Sequence, residues 1–173
     1  MFPVGVSAQE ALSMPVAVLT RESLIQLLRE SGLLADRVLE EFLDQYPTSD
    51  PKLLLSQLYQ AGHLTDYHAR ELAAGRNRGF IIGKYKVLKP LATGGMGVVL
   101  HCEHIHMRHQ VALKLLPREM NEDSSAVARF YREARAVAAV KHANVIQAYD
   151  VGLEGNWHCM VMEYVDGINF HKL

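Results

Sequence analysis

The sequence predicts an α+β protein in two parts: a small all-α helical bundle, then a five-stranded antiparallel sheet with one helix packed on it. Three observations predict this. Between residues 20 and 75, four short amphipathic stretches form two similar halves, with Gly32 in the first matching Gly62 in the second. Between residues 83 and 173, five stretches of alternating or β-branched residues are separated by turn signals. One helical stretch, opened by Asp123-Ser124-Ser125, interrupts those strands.

Composition narrows the class. A chain of 173 residues can hold one medium domain or two small ones. Hydrophobic content of 49% with 21% charged residues describes a folded, globular chain. A formal net charge of −1 gives no global attraction to nucleic acid or to an anionic membrane, and no apolar run reaches the length of a membrane span. Cys102 and Cys159 are too few for a disulfide framework and read as free thiols of a reducing compartment, which suggests the cytoplasm. Residues 1–19 lack the basic start of a signal peptide and contain Glu10, so they read as a flexible leader.

The helical module covers residues 20–75. Thr20 offers a capping oxygen to a helix with Leu24, Ile25, Leu27 and Leu28, which should stop near Ser31-Gly32. A second helix, from Asp36 to Asp44, places Val38, Leu39, Phe42 and Leu43 on one face. Pro47 and Pro51 bracket a polar loop. A third helix runs from Lys52 to Ala61 and a fourth from Asp66 to Ala74, ending at Gly75. Each half reads as helix, glycine, buried leucine (Leu34 or Leu64), cap and helix. Thr65 is a good cap and Ala35 is not, so Asp36 is expected to cap the first half. His63 and His68 read as surface residues. Four such helices can close a bundle, whose expected use is binding a protein partner or self-association. Residues 76–82 form the linker, with Arg76 and Arg78 at a solvated joint and Phe80, Ile81 and Ile82 as apolar anchors for the second part.

Residues 83–173 carry the chemistry. Strands are expected from Tyr85 to Leu91, Val98 to Glu103, around Val111 to Leu115, Val145 to Val151 and Trp157 to Glu163. The first two flank Ala92-Thr93-Gly94-Gly95-Met96-Gly97, and the third contains Val111-Ala112-Leu113-Lys114. Glycines let backbone N–H groups approach a polyanion closely. A lysine within an apolar strand is costly without an anionic partner, and phosphates would supply one. Between these strands, His101, Cys102, His104, His106 and His109 have the composition of a zinc site, but their alternation on a strand fits a polar hairpin better.

The glycine loop followed by Val-Ala-Leu-Lys resembles the ATP-binding lobe of protein kinases, specifically bacterial Hanks-type serine/threonine kinases. The resemblance covers residues 83–173 and implies a protein-kinase N-lobe with one αC-type helix. It implies that Leu91, Ala92, Thr93, Gly94, Gly95, Met96, Gly97, Val98, Val99 and Ala112 surround ATP, with Leu91 and Val99 bracketing adenine. Ala92 stands where the family has its first glycine. Lys114 would contact the α- and β-phosphates and pair with a glutamate of the next helix. Glu133 fits that position: with Ala126, Phe130 and Val137 it falls near one helical face, where an inward carboxylate needs a cation. His142-Ala143-Asn144 resembles the family's turn after that helix. Met162, Glu163 and Val165 resemble the hinge, with Met162 as gatekeeper and backbone groups of Glu163 and Val165 facing adenine.

The expected activity is transfer of the γ-phosphoryl of Mg-ATP to serine or threonine of a protein substrate. Lys114 and Glu133 are the expected catalytic pair. No metal ligand is expected within the sequence. The family's His-Arg-Asp loop and Asp-Phe-Gly motif do not occur here, so the Mg2+ ligands are expected outside the chain, which alone is expected not to complete transfer. The alternative is a non-catalytic adaptor or pseudokinase fragment that acts through the helical module.

Overall fold

The computed structural model describes residues 19–94 and 97–167. Most of the expected leader, and Gly95 and Met96 of the glycine loop, lie outside the described residues. The chain divides into two compact units at Ile81/Ile82.

The first unit contains α1 (Arg21–Ser31), α2 (Asp36–Gln45), α3 (Pro51–Gln60) and α4 (Asp66–Ala73). Thr20 starts α1 through a reciprocal capping box with Ser23. Gly32 ends it in the left-handed region, φ 69°, where a side chain is disfavoured. Pro51 occupies the first turn of α3, where its missing N–H costs nothing, and the Asp50 carboxylate accepts from the Lys52 amide at 2.8 Å. Leu24, Leu28, Leu39, Leu54, Leu58 and Leu72 are buried together at the apolar stripes, each contributing about 1.5–3 kcal/mol of transfer free energy.

Three expectations for this unit are corrected. Asp36 does not cap α2: Ala35 is the N-cap and makes no side-chain bond, while Asp36 lies in the first turn and favours the helix through its dipole. Leu33, not Leu34, is the buried leucine of the first half, so the two halves are not equivalent there. His68 is fully buried rather than on the surface. It is the third residue of α4, and its Nδ1 accepts from the Thr65 amide at 3.1 Å. Its ring meets Phe80 edge-on at 5.1 Å. The joint is also less free than expected, because Arg76 makes two bonds to Glu71, at 2.7 and 2.8 Å.

The second unit holds β2 (Tyr85–Gly94), β3 (Gly97–His104), β4 (Gln110–Leu115), α5 (Ser124–Ala138), β5 (Ala148–Glu154) and β6 (Trp157–Glu163). A two-residue strand β1 (Ile81–Ile82) straddles the boundary. Among the described residues the sheet therefore has six strands, in the order β1-β2-β3-β4-β6-β5, and not the expected five. Two residues are too few to show a period, so β1 was hidden in the linker. Strand β2 runs past Pro90 with register shifts at Val87/Lys89 and Pro90/Ala92, the irregularity by which a strand tolerates proline. Strand β5 starts at Ala148, leaving Val145 and Ile146 exposed in the preceding loop.

Both faces of β4 are covered, which explains its nearly continuous apolar run. On one face Leu100, Leu113 and Val161 align across three strands, beside Val87, Cys102 and Val111, and all six are buried. On the other, Leu116 and Met160 pack against Phe130 and Ala134 of α5. Among the described residues no helix is long and apolar enough to cross a membrane.

Candidate functional site

The β2–β3 hairpin closes at Gly94 opposite Gly97. These two glycines have different causes. Gly97 adopts φ +109°, and a Cβ there would lie 2.1 Å from the Leu115 carbonyl oxygen, so the fold itself excludes a side chain. Gly94 shows no such constraint: among the described residues a Cβ would meet nothing within 4 Å. Its lack of a side chain leaves the described surroundings of the hairpin end open. Ala92 is paired with Val99 in the strand and does not take a positive φ, so alanine is accommodated there without backbone strain.

Directly opposed residues share a sheet face. Ala92, Val99, Lys114 and Met160 therefore form one row across β2, β3, β4 and β6. His101, Ala112 and Met162 form the next row on that face. Thr93 is paired with Val98 on the opposite side. The sheet thus gathers Val99, Ala112, Lys114 and Met162 on one surface.

Helix α5 reaches the same surface. It starts because Asp123 Oδ1 accepts from the Ser125 and Ala126 amides at 2.8 and 3.2 Å. With the Ser125 hydroxyl, these bonds hold the Asp123 carboxyl below its ordinary pKa. The Lys114 Nζ lies 3.7 Å from the Glu133 Oε2 and 5.9 Å from the centre of the Phe130 ring. Lys114 is mostly buried, with its side chain 20% exposed. Glu133 is 47% exposed, which corrects the expectation of an inward carboxylate. The buried positions of α5 are Ala126, Phe130 and Ala134, and Glu133 sits at their border. The pair borders a cleft of about 220 Å³ whose lining also includes Leu116, Met120, Arg129 and Phe130. Arg129 and Met120 were not expected there; their signal was only their helical or loop proximity to Glu133 and Lys114.

At the end of β6, the Glu163 amide donates to the Gln147 carbonyl at 2.8 Å, and its carboxylate accepts from the Gln147 amide at 3.3 Å. Beyond it Val165 is exposed, as is Leu91 on β2. His101 is a residue that the sequence placed in the polar hairpin. It is buried, and its ring stacks on Tyr164 with centroids 3.7 Å apart and planes 12° apart. Its Nε2 is 3.0 Å from the Gln110 Oε1. Of the neighbouring histidines, His104 accepts from the Met107 amide and meets the His106 ring edge-on at 6.0 Å, while His109 lies against Tyr149. Among the described residues, no three His, Cys, Asp or Glu side chains form a metal-holding group.

The family model for the protein kinase domain matches residues 85–173. The serine/threonine-protein kinase pkn2 of Myxococcus xanthus is 40% identical over 91 residues, covering 53% of this chain and 11% of that protein. The serine/threonine-protein kinase PrkC of Bacillus subtilis is 36% identical over 92 residues, covering 53% of this chain and 14% of that protein. The PknI kinase domain of Mycobacterium tuberculosis aligns with TM-score 0.44 and 30% identity, over 54% of this chain and 38% of that one. The chain thus spans a small fraction of the length of the curated relatives it matches. The family match covers just over half of the sequence, on the residues that form this sheet from β2 onward, α5 and the end of β6, and the chain belongs to the protein kinase family.

Proposed function

We propose that this chain is the ATP-binding portion of a cytoplasmic bacterial serine/threonine protein kinase, whose reaction moves the γ-phosphoryl of Mg-ATP to a serine or threonine hydroxyl of a protein. The observation that carries this reading is the row Ala92, Val99 and Lys114 on one sheet face, with the Glu133 carboxylate 3.7 Å from the lysine.

In this reading Leu91, Val99, Ala112 and Met162 enclose adenine with apolar surface. The Glu163 carbonyl and the Val165 amide meet its edge as acceptor and donor. Backbone amides from Gly94 to Gly97 cover the phosphates, and the open space at Gly94 favours that approach. Lys114 contacts the α- and β-phosphates, and Glu133 holds the ammonium over them. Divalent Mg2+, when bound, neutralises charge on the β- and γ-phosphates; its ligands are not assigned to this chain. The protein substrate and any partner of the helical unit lie beyond these residues.

The test is nucleotide binding by the 173-residue chain, followed by competition with a fluorescent ATP analogue. ATP should displace the analogue, and Lys114→Ala should weaken it about tenfold or more, the scale of one charge-assisted contact. Equal ATP affinity in the two proteins would overturn the assignment of Lys114. In the protein that carries this segment, Lys114→Ala should abolish γ-phosphoryl transfer.

A further inference from the structure

We propose that His101 is a positioning residue for adenine recognition: by stacking on Tyr164 it fixes the backbone between Glu163 and Val165. The proposal rests on the nucleotide-binding reading and adds a residue to it.

The geometry points to this residue in three ways. First, His101 is a polar side chain only 7% exposed, on the sheet face that holds Val99, Ala112 and Met162. An aliphatic side chain would fill that place without the cost of burying ring nitrogens. The imidazole is instead retained where its plane lies parallel to the Tyr164 ring, at 3.7 Å and 12°. Second, both partners are held from elsewhere. The Gln110 Oε1 accepts from the His101 Nε2 side at 3.0 Å, which sets the ring orientation. The Tyr164 hydroxyl donates to Asp166 Oδ1 at 3.2 Å, so the phenol is held at its tip as well as its face. Third, Tyr164 lies between the two residues whose backbone groups are assigned to adenine. Glu163 is already fixed by its amide bond to Gln147. Holding the Tyr164 side chain fixes the remaining dihedrals, and with them the spacing of one carbonyl and one amide.

Burial keeps the His101 pKa below its ordinary value, with Lys89 adding to the effect while Gln110 and Asp166 oppose it. Burial thus favours the uncharged ring, the form that stacks without a charge to desolvate. His101 itself contributes no atom to the adenine edge. Its action runs through Tyr164.

The experiment measures the affinity of the 173-residue chain for ATP and for inorganic tripolyphosphate, both with Mg2+. Tripolyphosphate reads the phosphate contacts without the base. His101→Ala should weaken ATP about fivefold to tenfold, the scale of one lost aromatic contact, and leave tripolyphosphate affinity unchanged. His101→Phe, which keeps a ring against Tyr164, should bind ATP like the wild type. Unchanged ATP affinity in His101→Ala overturns the proposal, and so does parallel loss of both ligands, which marks a general structural role. His101→Phe behaving like His101→Ala also overturns it. A wild-type chain that binds tripolyphosphate but not ATP would instead overturn the adenine reading on which the proposal rests.

Discussion

The Lys84 ammonium lies 3.1 Å from the Glu154 carboxylate, joining the turn before β2 to the end of β5. Strand β2 is second and β5 last in the strand order, with three strands between them, so the contact requires the sheet to curl. Gly83 completes the junction: its φ is +53°, and a Cβ there would lie 2.0 Å from the Glu154 Oε2. The hydrogen bond to Glu154 raises the Lys84 pKa, so the ammonium's contribution is fully present at neutral pH and declines as pH rises through the lysine's folded value.

Two substitutions at this junction should differ in size. Glu154→Ala removes a partly exposed ion pair, worth about 0–1 kcal/mol, and added salt should shrink that effect further. Gly83→Ala forces a side chain into a left-handed backbone and against Glu154, and should cost about 1–3 kcal/mol. Thermal unfolding of the two variants checks this. A larger loss from Glu154→Ala would mean that the ion pair, and not the backbone, closes the sheet.

The hairpin glycines give a second contrast. Gly97→Ala must displace the Leu115 carbonyl or break the β2–β3 turn, and should destabilise the chain by about 2 kcal/mol or more. Gly94→Ala projects a methyl group into open space and should change stability by no more than about 0.5 kcal/mol. If the space at Gly94 receives phosphate, the same substitution should weaken ATP about tenfold in a binding titration. A Gly94→Ala chain with wild-type stability and wild-type ATP affinity would remove the phosphate from that space.

Most of the second unit was legible because its signals are local. Asp123 before two serines marks a helix start, and the structure places α5 there. The alternation around Val98 to Glu103 and Trp157 to Glu163 marks strands, found as β3 and β6. Lys114 and Glu133 could be paired in advance through the resemblance to kinases, in which the strand lysine meets a glutamate of the next helix, and helical spacing then singled out Glu133. What local pattern missed depends on distant chain. Strand β1 exists only through pairing within the sheet. His68 is buried because Phe80 packs on its ring, and a histidine after a helix cap otherwise reads as polar surface. His101 looked like part of a histidine-rich hairpin, and only the sheet register brings it to Tyr164. The exposure of Glu133 was misjudged for a related reason. Helical spacing gives its angle around α5, but the height of the sheet beneath decides how deep that angle is buried.

The cysteines predict slow chemistry and an alkaline weakness. Burial pushes the Cys102 thiol up to about 12 and the Cys159 thiol up to about 11. The thiolate is the reactive form, so at pH 8 only about 1 in 10,000 and 1 in 1,000 of these groups would react. Mass spectrometry should find little alkylation by iodoacetamide in the native chain and complete alkylation in denaturant. Because the folded values lie above the unfolded one, the unfolded chain loses protons first as pH rises beyond about 8.5, and stability falls from there. Cys102→Val should make that alkaline decline shallower in denaturant titrations between pH 8 and 10. Rapid native labelling would show that the sheet opens at these strands.

The Lys114–Glu133 pair should matter to the ligand and hardly at all to the fold. At 3.7 Å, with Glu133 nearly half exposed, the pair contributes about 0–1 kcal/mol to stability. The helix is held by Phe130 and Ala134, which pack on Leu116 and Met160. Phe130→Ala should therefore cost about 3–5 kcal/mol, while Glu133→Gln leaves the unfolding midpoint nearly unchanged. The same Glu133→Gln chain should bind ATP more weakly, because the lysine loses the charge that holds it over the phosphates. Raising ionic strength should narrow the gap between wild type and variant, since a half-exposed carboxylate is screened within about 8 Å. An unfolding midpoint that drops as far for Glu133→Gln as for Phe130→Ala would show that the carboxylate anchors α5 rather than Lys114.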